Sequence, residues 1–307
     1  MSAVSIRSSI LSDTIAIGSE ASDYLKQLDS IIAEAHHNLG CIGTETNNPE
    51  FTLAHFKEFN EMMKTSMDEN LQREDKRLAI SWNELGNAYM MNKMWSEGEQ
   101  CFKKCLETAR SLRDFKPAEF SFPFVNLGLA YWITDRFDEA ADIMLQGLSY
   151  REAAFGRDDN QSFLTGRLLF GLGNVRASQG RLDESFAYHH RALGQFLSTI
   201  GKNHHRTGDV HVRVADHFSR LKRFDEARRH MDEALRIFQE RAVYRPESIR
   251  ATFRKSEILR AEGRVEEADK LRIESCLMYH DITEEALTAS SELLDANFDD
   301  LVAFWSR

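Results

Sequence analysis

Residues 136–140 read Arg-Phe-Asp-Glu-Ala, and residues 223–227 repeat the same five letters. Weaker copies stand at 181–185, Arg-Leu-Asp-Glu-Ser, and at 264–268, Arg-Val-Glu-Glu-Ala. Their final small residues, Ala140, Ser185, Ala227 and Ala268, are 45, 42 and 41 positions apart. A phrase that returns at a nearly fixed period of this size marks stacked supersecondary units, none of which can bury its apolar face alone.

A second marker lies twelve positions upstream of the small residue. Leu127-Gly128 precedes Ala140 and Leu172-Gly173 precedes Ser185, while Leu85-Gly86 before Gly98 and Leu39-Gly40 before Thr52 extend the array backwards. Aromatic residues flank the marker at helical spacing, as in Trp82, Leu85, Gly86 and Tyr89, or Phe124, Leu127, Gly128 and Tyr131. Positions three and four apart share one helix face. Each unit therefore reads as a helix A carrying the glycine, a tight turn, and a helix B opened by the acidic pair. A helix N-terminus, with its orphan amides and macrodipole, favours that pair. Six units are counted, with A helices centred near Leu39, Leu85, Leu127, Leu172, Val214 and Lys255. The last lacks the aromatic and glycine markers, as suits a terminal capping repeat. Pro49 is expected in a turn, Pro117 and Pro123 between units, and Pro246 ahead of a helix A.

Composition agrees with this helical reading. The 307 residues hold only 16 Gly and 4 Pro, too few for the turns of a sheet-rich chain. A net charge of −10 disfavours general binding to nucleic acid, which requires a basic surface. No run of 18 apolar residues offers a membrane span, and the N-terminus lacks a secretory core segment. The chain is expected to be cytoplasmic, or nuclear. Cys41, Cys101, Cys105 and Cys276 show no metal-type pairing and read as free thiols, Cys101 and Cys105 on a packing face.

The pattern Trp82…Leu85-Gly86…Tyr89, followed by a small residue and Phe102, resembles the tetratricopeptide repeat. A period near 42, with phrases such as Leu172-Gly173…Gly180-Arg181-Leu182-Asp183-Glu184-Ser185 and Phe155-Gly156-Arg157-Asp158-Asp159, is similar to the kinesin light chain-like subclass. In that subclass a Pro usually follows the His of the linker Ile200-Gly201-Lys202-Asn203-His204, where this chain has His205. The ending Phe298-Asp299-Asp300-Leu301-Val302-Ala303-Phe304-Trp305-Ser306-Arg307 resembles the ends of fungal proteins of this kind. The resemblance implies an all-α fold, a right-handed α-solenoid of about six tetratricopeptide-like helix pairs with a C-terminal capping helix and tail. Expected boundaries are an N-terminal extension over 1–24, the array over 25–280, and an acidic, aromatic tail over 281–307. The resemblance also implies recognition of a protein or peptide in the concave groove lined by the A helices, and hence a scaffold or adaptor.

In such arrays the second, sixth, ninth and thirteenth positions of helix A face the groove. With the marker glycine at position eight, repeats 2 to 4 place Asn87, Asn126 and Asn174 there, and repeats 4 to 6 place Arg167, Arg213, Arg220, Arg250 and Arg254. A carboxamide both donates and accepts, so the asparagines suit a peptide backbone. The arginines suit carboxylates or phosphates, and so an acidic partner. Asp209, Asp216 and Glu257 stand among them at helical spacing, and self-pairing is the competing reading. Two readings are also open for the tail: a cap on the last repeat, or a segment folded back into the basic half of its own groove to compete with partners.

Chemistry is sparse. His36-His37, His189-His190 and His204-His205 are adjacent pairs, which point about 100° apart on a helix and do not share a metal face. His189 stands where a packed hydrophobe belongs and reads as a core histidine. His204 and His205 are expected in a loop, titrating near neutrality. Gly171-Leu172-Gly173 follows no strand and is no dinucleotide fingerprint. Catalytic residues, metal and cofactor are all expected to be absent. The alternatives are a receptor for a small ligand or peptide signal and, more remotely, an enzyme with an unfamiliar site.

Overall fold

The computed structural model describes residues 19–69, 76–283 and 293–307. Most of the expected N-terminal extension (1–18), and residues 284–292 of the expected tail, lie outside the described residues. Thirteen α-helices and no strand occur among the described residues. Twelve form successive A–B pairs. They are α1 (Ser19–Glu45) with α2 (Pro49–Glu69), α3 (Lys76–Met91) with α4 (Trp95–Ser111), and α5 (Phe122–Ile133) with α6 (Phe137–Phe155). Next come α7 (Leu164–Ser178) with α8 (Leu182–Thr199), α9 (His205–Arg220) with α10 (Phe224–Phe238), and α11 (Arg245–Glu262) with α12 (Val265–Thr283). A short helix, α13 (Asp295–Leu301), follows in the tail. The chain divides into two compact units, residues 1–115 holding two pairs and residues 116–307 holding four pairs and the tail. The fold class is the α-solenoid expected.

Why each pair closes is visible in its turn. Helix A ends seven residues after its marker at a left-handed residue: Asn47, Lys93, Asp135, Gly180, Lys222 or Gly263, with φ between 50° and 91°. Around each, two amides reach back to the carbonyls that helix A leaves unpaired. In the fifth pair, Lys222 N donates to Ser219 O (2.9 Å) and Arg223 N to Phe218 O (2.8 Å). This is the left-handed C-terminal closure that satisfies orphan carbonyls and reverses the chain within three residues.

The arginine of the recurring phrase then precedes helix B and grips the glutamate three residues on. Arg136–Glu139, Arg181–Glu184, Arg223–Glu226 and Arg264–Glu267 are all paired this way, at 2.5–2.6 Å. Exposed pairs of this kind are screened by water and salt and contribute little. The phrase therefore records register more than stability.

Stability comes from the face below. The small residues Thr52, Ala140, Ser185, Ala227 and Ala268 are fully buried. Sixteen positions after each marker, a large side chain of helix B lies on it: Phe56 on Gly40, Phe102 on Gly86, Met144 on Gly128, His189 on Gly173. A Cβ at any of these glycines would stand 2.2–2.5 Å from that side chain. In the fifth pair Ala215 and Met231 keep the same register and both are fully buried, and in the sixth Ser256 takes the marker's place. Cys101 and Cys105 are buried free thiols of α4, pushed up by burial, Cys101 to about 11.

The link between α6 and α7 holds a device not foreseen. Arg151, 2% exposed, donates to Thr165 Oγ1 (2.6 Å) and Ala118 O (2.8 Å) and pairs with Asp159. Burial alone would raise Asp159, but Arg151 and the Gln161 amide outweigh it and hold the carboxyl below its usual range. Three of the prolines also shift in role: Pro49 opens α2, and Pro123 and Pro246 lie in the first turns of α5 and α11, where a missing N–H costs nothing.

Candidate functional site

In the second unit the A helices α5, α7, α9 and α11 present a face to which the tail returns. Leu293, Phe298, Val302 and Phe304 are 0–6% exposed. The Phe298 ring stacks on Phe253 of α11 at 4.0 Å and meets Tyr279 of α12 edge-on. That is the cap expected of a terminal repeat. Beyond it the chain continues along the A helices, where Asn174 and Arg250 meet its last residues. Trp305 reaches a narrow crevice with Val125 and Leu129 of α5 and Phe170 of α7.

Polar contacts fix its path. Arg254 of α11 lies 3.0 Å from Asp295 and 3.1 Å from Asp299. Arg250 donates to Ser306 O (2.6 Å) and to Asp209 Oδ1 (3.1 Å), with Asp299 at 3.8 Å. Asn174 Nδ2 donates to the main-chain oxygen of Arg307 at 2.7 Å. Burial would raise Asp299, yet Arg213, Arg250, Arg254 and Arg307 hold it below the usual carboxylate range. Asp209 goes the other way: burial pushes it up to about 6 despite Arg250. Behind it Glu247 is pushed up to about 7, by burial and then by Asp209.

The Asn174 contact organises a chain of neutral groups. Its Nδ2 donates to the main-chain oxygen of Arg307, so Oδ1 must face His189 Nε2, 3.1 Å away, and accept a hydrogen bond from it. His189 Nδ1 is then an acceptor, and His217 Nε2, 3.0 Å off, donates to it. Burial drives His189 well below its ordinary value and His217 down to about 4, keeping both rings neutral. His189 is thus a core histidine, as expected, but it also orients a tail-binding carboxamide. His204 and His205 depart from expectation. His204 caps α9 by accepting from Arg206 N (3.2 Å), His205 stacks on Tyr244, and burial with Arg206 lowers both, His205 to about 3.

The eight groove residues named from sequence separate into four placements. Asn87 lies in the first unit, donating to Glu84 on its own helix at 3.2 Å. Asn126 is fully buried and accepts from Arg167 Nη2 at 2.6 Å. Asn174, Arg250 and Arg254 hold the tail. Arg213 and Arg220 border an open cavity of about 570 Å3 beside it, walled by Trp132, Ile133 and Phe137, by Asn174, Ser178 and Leu182, and by Ala296, Asp299, Asp300 and Arg307 of the tail. Self-pairing is extensive: Asp209 with Arg250, Asp216 with Arg213 (3.8 Å), Glu257 with Arg272 (3.0 Å). Trp132, whose Nε1 donates to Ser178 Oγ at 2.8 Å and ties α5 to α7, was not anticipated.

Two histidine pairs between A and B helices were also missed. His36 and His55 (3.0 Å), and His211 and His230 (2.8 Å), occupy one register in the first and fifth repeats, each 19 positions apart. That recurrence was readable in the sequence. No group of three metal-capable side chains occurs among the described residues. Nor is any described helix long and apolar enough to cross a membrane.

Tetratricopeptide-repeat family models match residues 124–161 and 164–240, the stretch that carries the markers, turns and buried small residues of the third, fourth and fifth repeats. Residues 124–240 are tetratricopeptide repeats, and the chain is similar to kinesin light chain-related proteins. The chain is 29% identical over 87 residues to Protein KINESIN LIGHT CHAIN-RELATED 3 of Arabidopsis thaliana, a match spanning 28% of the chain but only 13% of that relative. Among solved structures it is similar to BtubC (BKLC) from P. vanneervenii, with TM-score 0.62 and 16% identity over 80% of this chain and 97% of that one. The apo form of RapI gives TM-score 0.60 at 12% identity, covering 92% of each chain. A putative kinesin light chain from Podosopora anserina gives 0.53 at 15%, over 70% of this chain and all of that one. At these identities the likeness is one of fold.

Proposed function

We propose that this protein is an interaction adaptor that holds a peptide segment of a protein partner on the concave A-helix face of its second unit. One observation carries the reading: that face already handles a peptide. Asn174 takes the main-chain oxygen of Arg307, Arg250 takes the Ser306 carbonyl, and Arg254 takes two carboxylates of the tail. These are the interactions by which an extended or helical peptide is captured, with backbone bonds giving affinity and charge pairs giving selectivity. Tetratricopeptide-repeat proteins are typically non-enzymatic scaffolds, which accords with this reading.

Selection of phage-displayed peptides on the immobilised full-length chain tests the proposal. Selected peptides should bind the wild type and lose at least tenfold in affinity for the Arg213→Ala, Arg220→Ala double variant. Failure to select any sequence above background would refute it. A second reading, a receptor for a small metabolite, is favoured by the size of the cavity, which lies in the range of small-molecule sites. Thermal stabilisation by a metabolite, without any peptide binding, would support that reading instead.

A further inference from the structure

We propose that α1 is the contact face of a two-fold dimer, in which the exposed apolar stripe of one copy lies antiparallel against the same stripe of a second copy of this chain. The inference does not depend on the adaptor reading.

Repeat register shows that this face is built to be covered. Ala35 stands five positions before the marker Gly40, and Ile42 two after it. The same positions in α3 are Ser81 and Ala88, both fully buried against the preceding pair: Ser81 Oγ accepts from Asn60 Nδ2 of α2 at 2.9 Å, and Ala88 packs with Phe56 and Phe59. In α7 they are Leu168 and Val175, again fully buried. On α1, by contrast, Ala35 is exposed and Ile42 keeps 56% exposure, although Ile42 is larger than Ala88 or Val175. Tyr24 (62%) and Ile31 (58%) carry the exposed face towards the start of this 27-residue helix, while Ala33 and Gly40 turn to α2. A terminal repeat that ended in water would carry a polar outer face. A contiguous apolar one marks a contact site.

The stripe matches itself. Tyr24, Leu28, Ile31, Ala35, Asn38 and Ile42 recur at alternating intervals of four and three, the seam along which two helices pair, and none of them is charged. Antiparallel pairing about a two-fold axis sets Ile31 against Ala35, Leu28 against Asn38 and Tyr24 against Ile42 of the second copy. In each of these layers a larger side chain meets a smaller one, which fills the space between the helices evenly. Parallel pairing instead sets Ala35 on Ala35 and Tyr24 on Tyr24, with a gap in one layer and crowding in another. A patch that mates with its own copy closes at two chains. On α12, of the last pair, the exposed Val265, Ile273 and Leu277 are interspersed with Glu266, Asp269, Lys270 and Glu274, a mixture suited to water and a poorer mate for α1.

Sedimentation velocity on the full-length chain at about 5 to 200 µM, a range suited to a contact of this modest length, should show the mass rising from one copy toward two. Ile31→Glu and Ala35→Lys each bury unpaired charges in the dimer, and each should weaken association at least about tenfold. Circular dichroism should stay unchanged in both, because both positions are exposed on the single chain. An equal mixture of the two variants should regain the two-copy species, since the antiparallel register sets the new carboxylate on the new ammonium. Ile273→Glu with Leu277→Glu, on α12, should leave association as it is in the wild type. A wild type that stays single at the highest concentration overturns the proposal, as does a dimer that survives Ile31→Glu. Loss of association in the α12 variant overturns it in favour of open head-to-tail stacking. A mixture that remains single overturns the antiparallel register.

Discussion

Replacing Arg250 by Met keeps an apolar stem of similar length and deletes the charge at the centre of the tail's attachment. Arg250 is 1% exposed and Asp209 2%. Removing one member of a buried pair costs about 3–5 kcal/mol, most of it from the charge left behind. Asp209 is such a charge, but one that can escape by taking a proton. Burial already pushes it up to about 6 with Arg250 present, while Arg206 and Arg213 also pull it down. A carboxyl raised in the folded state stabilises fully below its unfolded value and loses that contribution as pH rises through the folded one. In the variant this loss extends to higher pH, by about 1.4 kcal/mol for each further pH unit by which Asp209 rises. The cost of Arg250→Met should therefore be larger at pH 8 than at pH 5, where Asp209 is mostly protonated with or without Arg250. Urea unfolding followed by circular dichroism at the two pH values, on the wild type, Arg250→Met and the Asp209→Asn, Arg250→Met double variant, measures this. The double variant should lose most of the extra pH dependence. A cost under about 1 kcal/mol, or one equal at both pH values, would refute the assignment of a buried, mutually dependent pair.

Other expectations are independent of the tail. Glu247→Gln should stabilise the chain at pH 8 and much less at pH 5, because a carboxyl pushed up to about 7 loses its stabilisation as pH rises through that value; equal urea midpoints at both pH values would contradict it. Lys93→Gly and Lys222→Gly place glycine at left-handed turns with φ 58°, and each should raise stability by roughly 0.5–1 kcal/mol, read as a rise in Tm. Gly86→Ala sets a Cβ 2.5 Å from the Phe102 ring and should cost about 1–3 kcal/mol. Gly194→Ala, on α8 with open space around it, should instead stabilise by about 0.5–1 kcal/mol, so calorimetry of the two variants gives opposite signs.

The fold was legible because each marker does one physical job. Leu-Gly dipeptides and their small partners twelve residues later report close helix approach, and the acidic pairs report helix starts. The site was legible only in part. Helical position identifies Arg250 and Arg213 equally as residues of the A-helix face. It cannot tell that one is fastened to Ser306, 56 residues away, while the other faces a cavity. Long-range partners of that kind depend on where the tail runs. His204 and His205 show the same limit: their adjacency was readable, whereas the burial that lowers both required Tyr244 and Arg206 in place.

The hairpin register has a consequence for how this chain tolerates length changes. From marker to left-handed turn is seven residues in all six repeats, and from marker to the large residue on helix B is sixteen, whereas the stretch from there to the next marker varies between 25 and 30. One residue inserted at Lys222 would rotate α10 by about 100° and carry Met231 away from Ala215. The same residue inserted near Lys202, between pairs, would leave both partners seated. Sites for grafted loops, tags or protease cleavage should therefore be sought where helix B hands over to the next helix A, and never at the bend within a pair.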